Sequence, residues 1–342
     1  MRELFLEAIA NGVFPGVAYS VWHEGRLSQD AFGHFTYDPS SSVVGLDTIW
    51  DLASVSKVVG TTTAAMMLVE EGRLELDSPV ASVLPEFGQN GKEDVTFTNL
   101  MVHDSGLVAF RRYHEFCRTP EEILAAIYAE SLTYETGTQC VYSDLSMIVV
   151  GKAIEQITGQ SLDEFLAKRL FQPLGMRDTG FFPPRERCAP TEVQEEWRSE
   201  IRSPRGPYIQ GEVHDPTAMA LGGVAGHAGL FSTVGDLTTF MSALVSGRIV
   251  SHDTVTRFTA RQSELSSRAL GWDTKSDPCS AGTLFGPRSF GHTGYTGTSV
   301  WCDPDRDLFA VLLSNRVHPT SENAKIIQFR PRFHDAVVRM IE

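Results

Sequence analysis

The chain has 342 residues, 42% apolar and 21% charged, enough to bury a sizeable core in one large composite unit or about two domains. Its formal charge is −14, with 29 Lys+Arg against 43 Asp+Glu, which argues against a nucleic-acid-binding surface. Five widely spaced cysteines (Cys117, Cys140, Cys188, Cys279, Cys302) form no Cys-x-x-Cys pair, so neither a disulfide framework nor a zinc knuckle is signalled and free thiols are expected.

Met1 to Asn11 reads as a short amphipathic helix with Leu4, Ala8 and Ile9 on one side. It lacks the apolar core and small-residue cleavage site of a signal peptide, which predicts a cytoplasmic protein. Gly16 to Trp22 alternates like a strand, Glu24-Gly25 turns, and Leu27 to Phe35 pairs back as a hairpin. Ile49 to Ala53 then leads into a helix that starts near Ser54. From Val58 to Val69 that helix carries no charge, and Gly72 is its stop. The run is too short to span a bilayer and reads as a helix buried on all sides.

Later helices carry clear punctuation. Thr119-Pro120-Glu121-Glu122 is a capping box with Pro at the first helical position. Val150, Ala153, Ile154 and Ile157 repeat on one face before Gly159. Ser161 caps a helix whose core face is Leu162, Phe165, Leu166 and Leu170. Thr233 with Asp236 caps another, bearing Leu237, Phe240, Met241 and Leu244. Pro183 to Asp215 is charged, rich in Pro and Arg, and without periodicity, the mark of a functional loop. Ala218 to Ser232 is glycine-rich and reads as tightly turned backbone beside a pocket; no Gly-Lys-Ser/Thr follows, so it is not a phosphate loop. Thr298 to Cys302 and Leu308 to Ser314 read as strands across the turn Asp303-Pro304-Asp305-Arg306. Phe333, Ala336, Val337 and Met340 form the apolar face of a helix after Pro331. No repeat or low-complexity segment occurs.

Strands at both ends and helices between predict an α/β (α+β) fold: an antiparallel sheet from both termini, flanked by helices, with a mainly helical insertion. The expected division of this single unit is an α/β subdomain of 1–53 and 262–342 and a helical subdomain of 54–261.

Ser54 and Lys57, at i and i+3, share one face of the first helical turn. Desolvation at the mouth of an apolar helix should lower the pKa of Lys57 and make it a base. The helix N-terminus offers unpaired N–H groups beside Ser54, which suit a developing oxyanion. Ser-x-x-Lys alone is common, and Ser54 could serve only as an N-cap. Two further motifs add weight: Tyr142-Ser143-Asp144, just before a helix, and His292-Thr293-Gly294, just before a strand.

With these motifs in this order the sequence resembles the serine β-lactamase and penicillin-binding-protein superfamily, in its class C-like branch. That branch has Ser-x-x-Lys, then Tyr-x-Asn, then Lys/His-x-Gly, and it includes esterases, D-amino-acid peptidases and peptidoglycan-fragment amidases. Gly72-Arg73-Leu74, His103-Asp104-Ser105-Gly106-Leu107, Pro173-Leu174-Gly175-Met176 and Ala228-Gly229-Leu230-Phe231-Ser232-Thr233 extend the likeness over nearly the whole chain. The resemblance implies that Ser54 is the acylated nucleophile and that Lys57 and Tyr142 share the proton work, either being the resting base. It further implies an oxyanion hole from the backbone N–H groups of Ser54 and Tyr295, with His292 a further catalytic residue and Asp144, Thr293 and Gly294 binding substrate.

Two departures stand out. Asp144 replaces Asn; a carboxylate there could pair with Lys57, raise its pKa and disfavour it as a base. His292 replaces Lys, and as a cation only part of the time near neutral pH it would hold a substrate carboxylate less firmly. Both weigh against efficient penicillin hydrolysis. Arg112, with Arg111, Tyr113 and His114, lies in a loop that borders the pocket in relatives and could attract an acidic substrate.

No metal or cofactor is assigned. His114-Glu115 is followed by Arg118 rather than His, which ends a zinc-protease reading. His214-Asp215 and His227 would hold a metal only if the fold joined them, and His214 reads better as a loop hydrogen-bonder. No Gly-x-Ser-x-Gly elbow exists. The expected function is a cofactor-independent serine hydrolase forming an acyl-enzyme on a small ester or amide, with peptidoglycan-derived peptides or muropeptides as one substrate class. The alternatives are a true class C-type β-lactamase and a penicillin-binding sensor that does not turn over. Pro183 to Asp215 is expected to set acyl length and stereopreference.

Overall fold

The computed structural model describes residues 1–196, 198 and 206–342. Its central element is a six-stranded antiparallel sheet in the order β2-β1-β8-β7-β6-β5. The N-terminal hairpin supplies β1 (Gly16–His23) and β2 (Arg26–Gly33). The C-terminal part supplies β5 (Asp273–Thr274), β6 (Phe290–Thr293), β7 (Ser299–Asp303) and β8 (Leu308–Ser314). The two chain ends therefore meet at the β1–β8 ladder, where Val17 pairs with Ser314 and His23 with Leu308. Both faces are covered, which is why all of β8 is buried. Leu308, Ala310 and Leu312 point to one side, with Phe5 of α1 (Arg2–Ala10) and Phe329, Phe333 and Val337 of the closing helix. Phe309, Val311 and Leu313 point to the other, into the core of the helical region.

The closing helix, Ile326–Ile341, begins before Pro331 rather than after it. Pro331 is the sixth residue of the helix, past the first four N–H groups that lack an intrahelical acceptor, so the helix runs on through a residue that gives up one ladder bond, and Phe329 joins the buried face. Met340 is exposed, so the buried face is Phe329, Phe333, Val337 and Val338.

Opposite the sheet lies the helix that begins after Ser54. A short ladder between β3 (Trp50–Asp51) and β4 (Phe231–Ser232) fixes its entry. Ala53 then takes a left-handed φ of 46° and turns the chain sharply into the helix. The helix is not regular throughout: Lys57–Thr62 forms a π-turn, and α2 (Thr63–Glu70) continues it to a left-handed Gly72. All of 57–68 is buried, as the uncharged composition predicts.

Three further helices are Pro120–Ala129, Asp144–Thr158 and Val234–Val245; the last two have the faces expected of them, and Asp144–Thr158 packs on the Ser54 helix. Thr119 and Thr233 cap through their hydroxyls, but Glu122 accepts from Arg118 N rather than completing a box with Thr119. Ser161 makes no side-chain cap; Glu155 takes the neighbouring Leu162 N–H at 3.0 Å.

The glycine-rich segment is stitched to the Ser54 helix at four points. Thr61 Oγ1 donates to Gly226 O (2.7 Å), Lys57 Nζ to His227 O (2.9 Å), Leu230 N to Ser56 Oγ (3.1 Å) and Leu52 N to Leu230 O (2.9 Å). Such close approach needs missing side chains: Gly226 lies against the Met147 carbonyl and Gly151 of the 144–158 helix. A Cβ at 226 would overlap that carbonyl oxygen, so Gly226→Ala should destabilise the fold by about 2 kcal/mol, lowering Tm by several degrees in thermal unfolding.

Candidate active site

Ser54 is partly exposed at the mouth of a cavity, while Lys57, one turn on, is 1% exposed. An ammonium has three protons and one charge; here two protons are donated in hydrogen bonds and the charge is paired with a carboxylate. Lys57 Nζ donates to Ser54 Oγ at 2.8 Å and to His227 O at 2.9 Å, and lies 2.7 Å from Asp144 Oδ1. Burial pulls the amine pKa down, but Asp144, and after it Tyr142, outweigh burial and hold Lys57 above the ordinary lysine value. The expectation that desolvation makes Lys57 a base is thus corrected: the carboxylate at 144 reverses the sign.

Tyr142 precedes the helix that Ser143 caps, its hydroxyl buried without a hydrogen-bond partner among the described residues. Two cations face its ring: Lys57 Nζ at 5.0 Å from the centroid and Arg268 Cζ at 4.6 Å. Two imidazoles flank it, His103 at 4.7 Å and His292 at 5.8 Å between centroids. Ser143 N donates to His103 Nδ1 at 3.1 Å, and His292 Nδ1 donates to its neighbour's carbonyl, Thr293 O, at 2.9 Å. Burial first, then the charges of Arg268 and Lys57, push both imidazoles well below the ordinary histidine value. His292 is therefore neutral near pH 7 rather than a part-time cation, chiefly because burial disfavours its charged form.

The third motif lies on β6. Thr293 is half-buried and pairs with Ser299, and Gly294 N donates to Thr298 O at 2.8 Å. His292, Thr293 and Gly294 are not among the residues that line the cavity. Their part is to place the next residue. Thr296 Oγ1 donates to Asp51 O (2.7 Å) and Thr298 Oγ1 to Leu52 O (2.8 Å), tying this turn to the chain entering Ser54. A Cβ on Gly294 would strike both Thr298 Oγ1 and Leu52 O. Among the described residues, neither the Ser54 nor the Tyr295 backbone N–H has an acceptor, which leaves two donors for an incoming oxygen. The Tyr295 side chain is 53% exposed, stacked between His214 and Arg316.

The cavity, about 1090 Å³, has Phe110, Leu145, Ile148, Met219 and Tyr295 among its apolar walls. Arg112 lines its rim but is 71% exposed on its side chain and paired with Glu115 at 3.0 Å; Arg111 is drawn to Glu130. Glu192 accepts from His214 Nε2, and from the Ser321 N–H and hydroxyl. Burial opposes its ionisation, yet these bonds bring its pKa down to about 2. Part of the Pro183–Asp215 loop, residues 197 and 199–205, lies outside the described residues.

Sequence reasoning missed Arg268, His103, Asp51 and the contact of His227 with Asp215. His103 lies in a quoted motif without a role, whereas Arg268 is a lone arginine that carries no local signal. The fold does join Asp215 and His227, with Asp144 close by, while His214 goes to Glu192 as a loop hydrogen-bonder. The Lys57 ammonium already stands against Asp144, so a metal ion would meet a positive charge there.

A serine and a buried lysine on one turn, beside a tyrosine and under an antiparallel sheet, define the class: a β-lactamase-related serine hydrolase. The chain belongs to the Beta-lactamase family, whose sequence model matches residues 1–330. It is 31% identical over 302 residues to the "Putative D-alanyl-D-alanine carboxypeptidase" of Escherichia coli K12, an alignment spanning 79% of this chain and 70% of that protein. In fold it is similar to EstCE1, a hydrolase with promiscuous acyltransferase activity (TM-score 0.76, 22% identity, 96% of this chain and 97% of that one). It is likewise similar to a class C β-lactamase from Rhodobacter sphaeroides (TM-score 0.75, 19% identity, 99% and 98%). Among the described residues no helix is long and apolar enough to cross a membrane.

The neutral imidazoles have a pH signature. His103 and His292 refuse protons in the folded state, whereas in the unfolded chain they titrate near pH 6.5, so their contribution is present above about pH 6.5 and is lost as pH falls below it. Urea unfolding between about pH 5 and 8 should show stability falling with acidification, and His103→Gln with His292→Gln should flatten that slope.

Proposed function

We propose that the chain hydrolyses a small ester or amide through an acyl-enzyme on Ser54, with peptidoglycan-derived peptides or muropeptides as the favoured substrate class. The observation that carries this reading is the Lys57 Nζ to Ser54 Oγ hydrogen bond of 2.8 Å at the mouth of the cavity. Its volume, about 1090 Å³, exceeds the needs of a simple acetyl ester and suits an acyl group of peptide size. The relative named for D-alanyl-D-alanine cleavage supports the same class.

With two protons donated, its charge paired to Asp144 and its pKa raised, Lys57 acts as an ammonium rather than as the base. The hydroxyl proton of Ser54 then passes to Tyr142, which enters this step as the phenolate and leaves it as the phenol, while Lys57 stabilises the serine oxygen as it attacks the carbonyl carbon. The carbonyl oxygen turns to the N–H groups of Ser54 and Tyr295. Tyr142 hands its proton to the leaving group, and water reverses these steps to free the acid. Asp144 offers no amide donor and His292 no cation, so rapid penicillin turnover is not favoured.

Time-resolved intact mass spectrometry with benzylpenicillin and with p-nitrophenyl acetate tests this. The expected result is one acyl adduct on the wild type, absent in Ser54→Ala, that decays faster for the ester than for the penicillin. Equal labelling of Ser54→Ala, or ester turnover that survives the substitution, would remove Ser54 as the nucleophile.

A further inference from the structure

His227 is 1% exposed and belongs to none of the three motifs. Its Nε2 lies 2.9 Å from Asp215 Oδ1, and its carbonyl oxygen accepts from Lys57 Nζ at 2.9 Å. One residue thus joins Asp215, through its side chain, to Lys57, through its backbone. Asp215 is itself held: it accepts from Ala218 N at 2.8 Å as cap of the Pro216–Ala220 helix. An oxygen of Asp144, an oxygen of Asp215 and a ring nitrogen of His227 all lie within 4.8 Å of one another, beside the Lys57 ammonium. Burial works against charge on Asp215, but His227, the Ala218 N–H and Lys57 together bring its pKa well below the usual carboxylate range.

We propose that Asp215 and His227 are a positioning pair for Lys57. Asp215 fixes the imidazole, hence the segment whose carbonyl receives the ammonium, and its carboxylate is a second negative charge facing that ammonium. A side chain with three donors points at Ser54 only while its other two partners stay in place. Asp144 is one of these, at the start of its helix; the His227 carbonyl is the other, on a loop. Thr61 and Ser56 pin the loop backbone on either side, and the His227–Asp215 contact is the added pin that carries charge. This inference rests on the reading of Ser54 as the nucleophile.

The charged and titratable groups around the pair come from several elements. Lys57 faces it from the Ser54 helix, and Asp144 and Tyr142 from the start of the 144–158 helix. Asp51 and Arg198 lie on the Asp215 side, and Arg198 donates to Val213 O at 2.9 Å and to His214 O. Arg268, His103 and His292 stand behind Tyr142. Removing a carboxylate beside an ammonium lowers the ammonium's pKa, so activity that needs charged Lys57 is lost at lower pH.

The test is the pH profile of kcat/KM for p-nitrophenyl acetate, with the Ser54 adduct followed by mass and folding by thermal unfolding. Asp215→Asn keeps an oxygen for the Ala218 cap. It should move the alkaline limb down by about one pH unit and lower kcat about tenfold, with a smaller change in KM. Asp144→Asn should move the limb the same way. His227→Ala should lower kcat without moving the limb down, since the Asp215 charge remains, and His227→Gln should recover part of the rate. A folded Asp215→Asn that is acylated on Ser54 with the wild-type alkaline limb and kcat overturns the pair alone. A wild type that forms no Ser54 adduct overturns the functional reading, and this proposal with it.

Discussion

Burying an ammonium costs several kcal/mol unless its protons and its charge find partners, and most of the architecture follows from meeting that demand at Lys57. Its three partners come from separate parts of the chain: the Ser54 hydroxyl on the same turn and the His227 carbonyl on a loop as acceptors, and the Asp144 carboxylate at the start of a helix as counter-charge. Three backbones must approach within reach of one side chain. Gly226 and Gly151 allow the loop and the helix to touch, and Thr61 and Ser56 supply the hydrogen bonds that keep them there. The π-turn at Lys57–Thr62 lies where this convergence is tightest, and its irregularity falls at a site of chemistry.

Charge is distributed around Tyr142 in an uneven way. Lys57 and Arg268 bring positive charge to its ring, while His103 and His292 are kept neutral by the same two cations and by burial. An aspartate at 144 adds a negative charge that a neutral asparagine would not, and it answers Lys57 directly. The familiar scaffold therefore carries a different electrostatic arrangement at its centre. Fold likeness to EstCE1 and to a class C β-lactamase is equally strong by TM-score, so substrate must be argued from these side chains.

The sheet shows the same economy at larger scale. Because β1 pairs with β8, closing the chain ends together also clamps the third motif, on β6, within two strands of the N-terminal hairpin. Thr296 and Thr298 then tie the sheet to Asp51 and Leu52, the chain that leads into the nucleophile. The Tyr295 N–H is placed by these contacts and not by its own side chain, which is free to meet the cavity.

Local pattern alone determined a good deal of this protein. The hairpin, the buried run after Ser54, the faces of the helices at 144–158 and 234–245, and the unbroken apolar run of β8 are all patterns of neighbouring residues. So is the pairing of Ser54 with Lys57, which a single helical turn enforces. Even the effect of Asp144 on Lys57 was legible, since charge type at a motif position carries its sign. Tertiary structure decided what depends on distance between remote segments. Nothing around residue 268 signals that Arg268 will cover Tyr142, and nothing around 215 or 227 signals that they will meet beside Lys57. The start of the last helix before Pro331 and the neutrality of His292 belong to the same group, because burial is a property of packing. Spacing along a chain fixes neighbours within one helix or strand; the field at a buried charge is set by whatever the fold brings within a few ångströms.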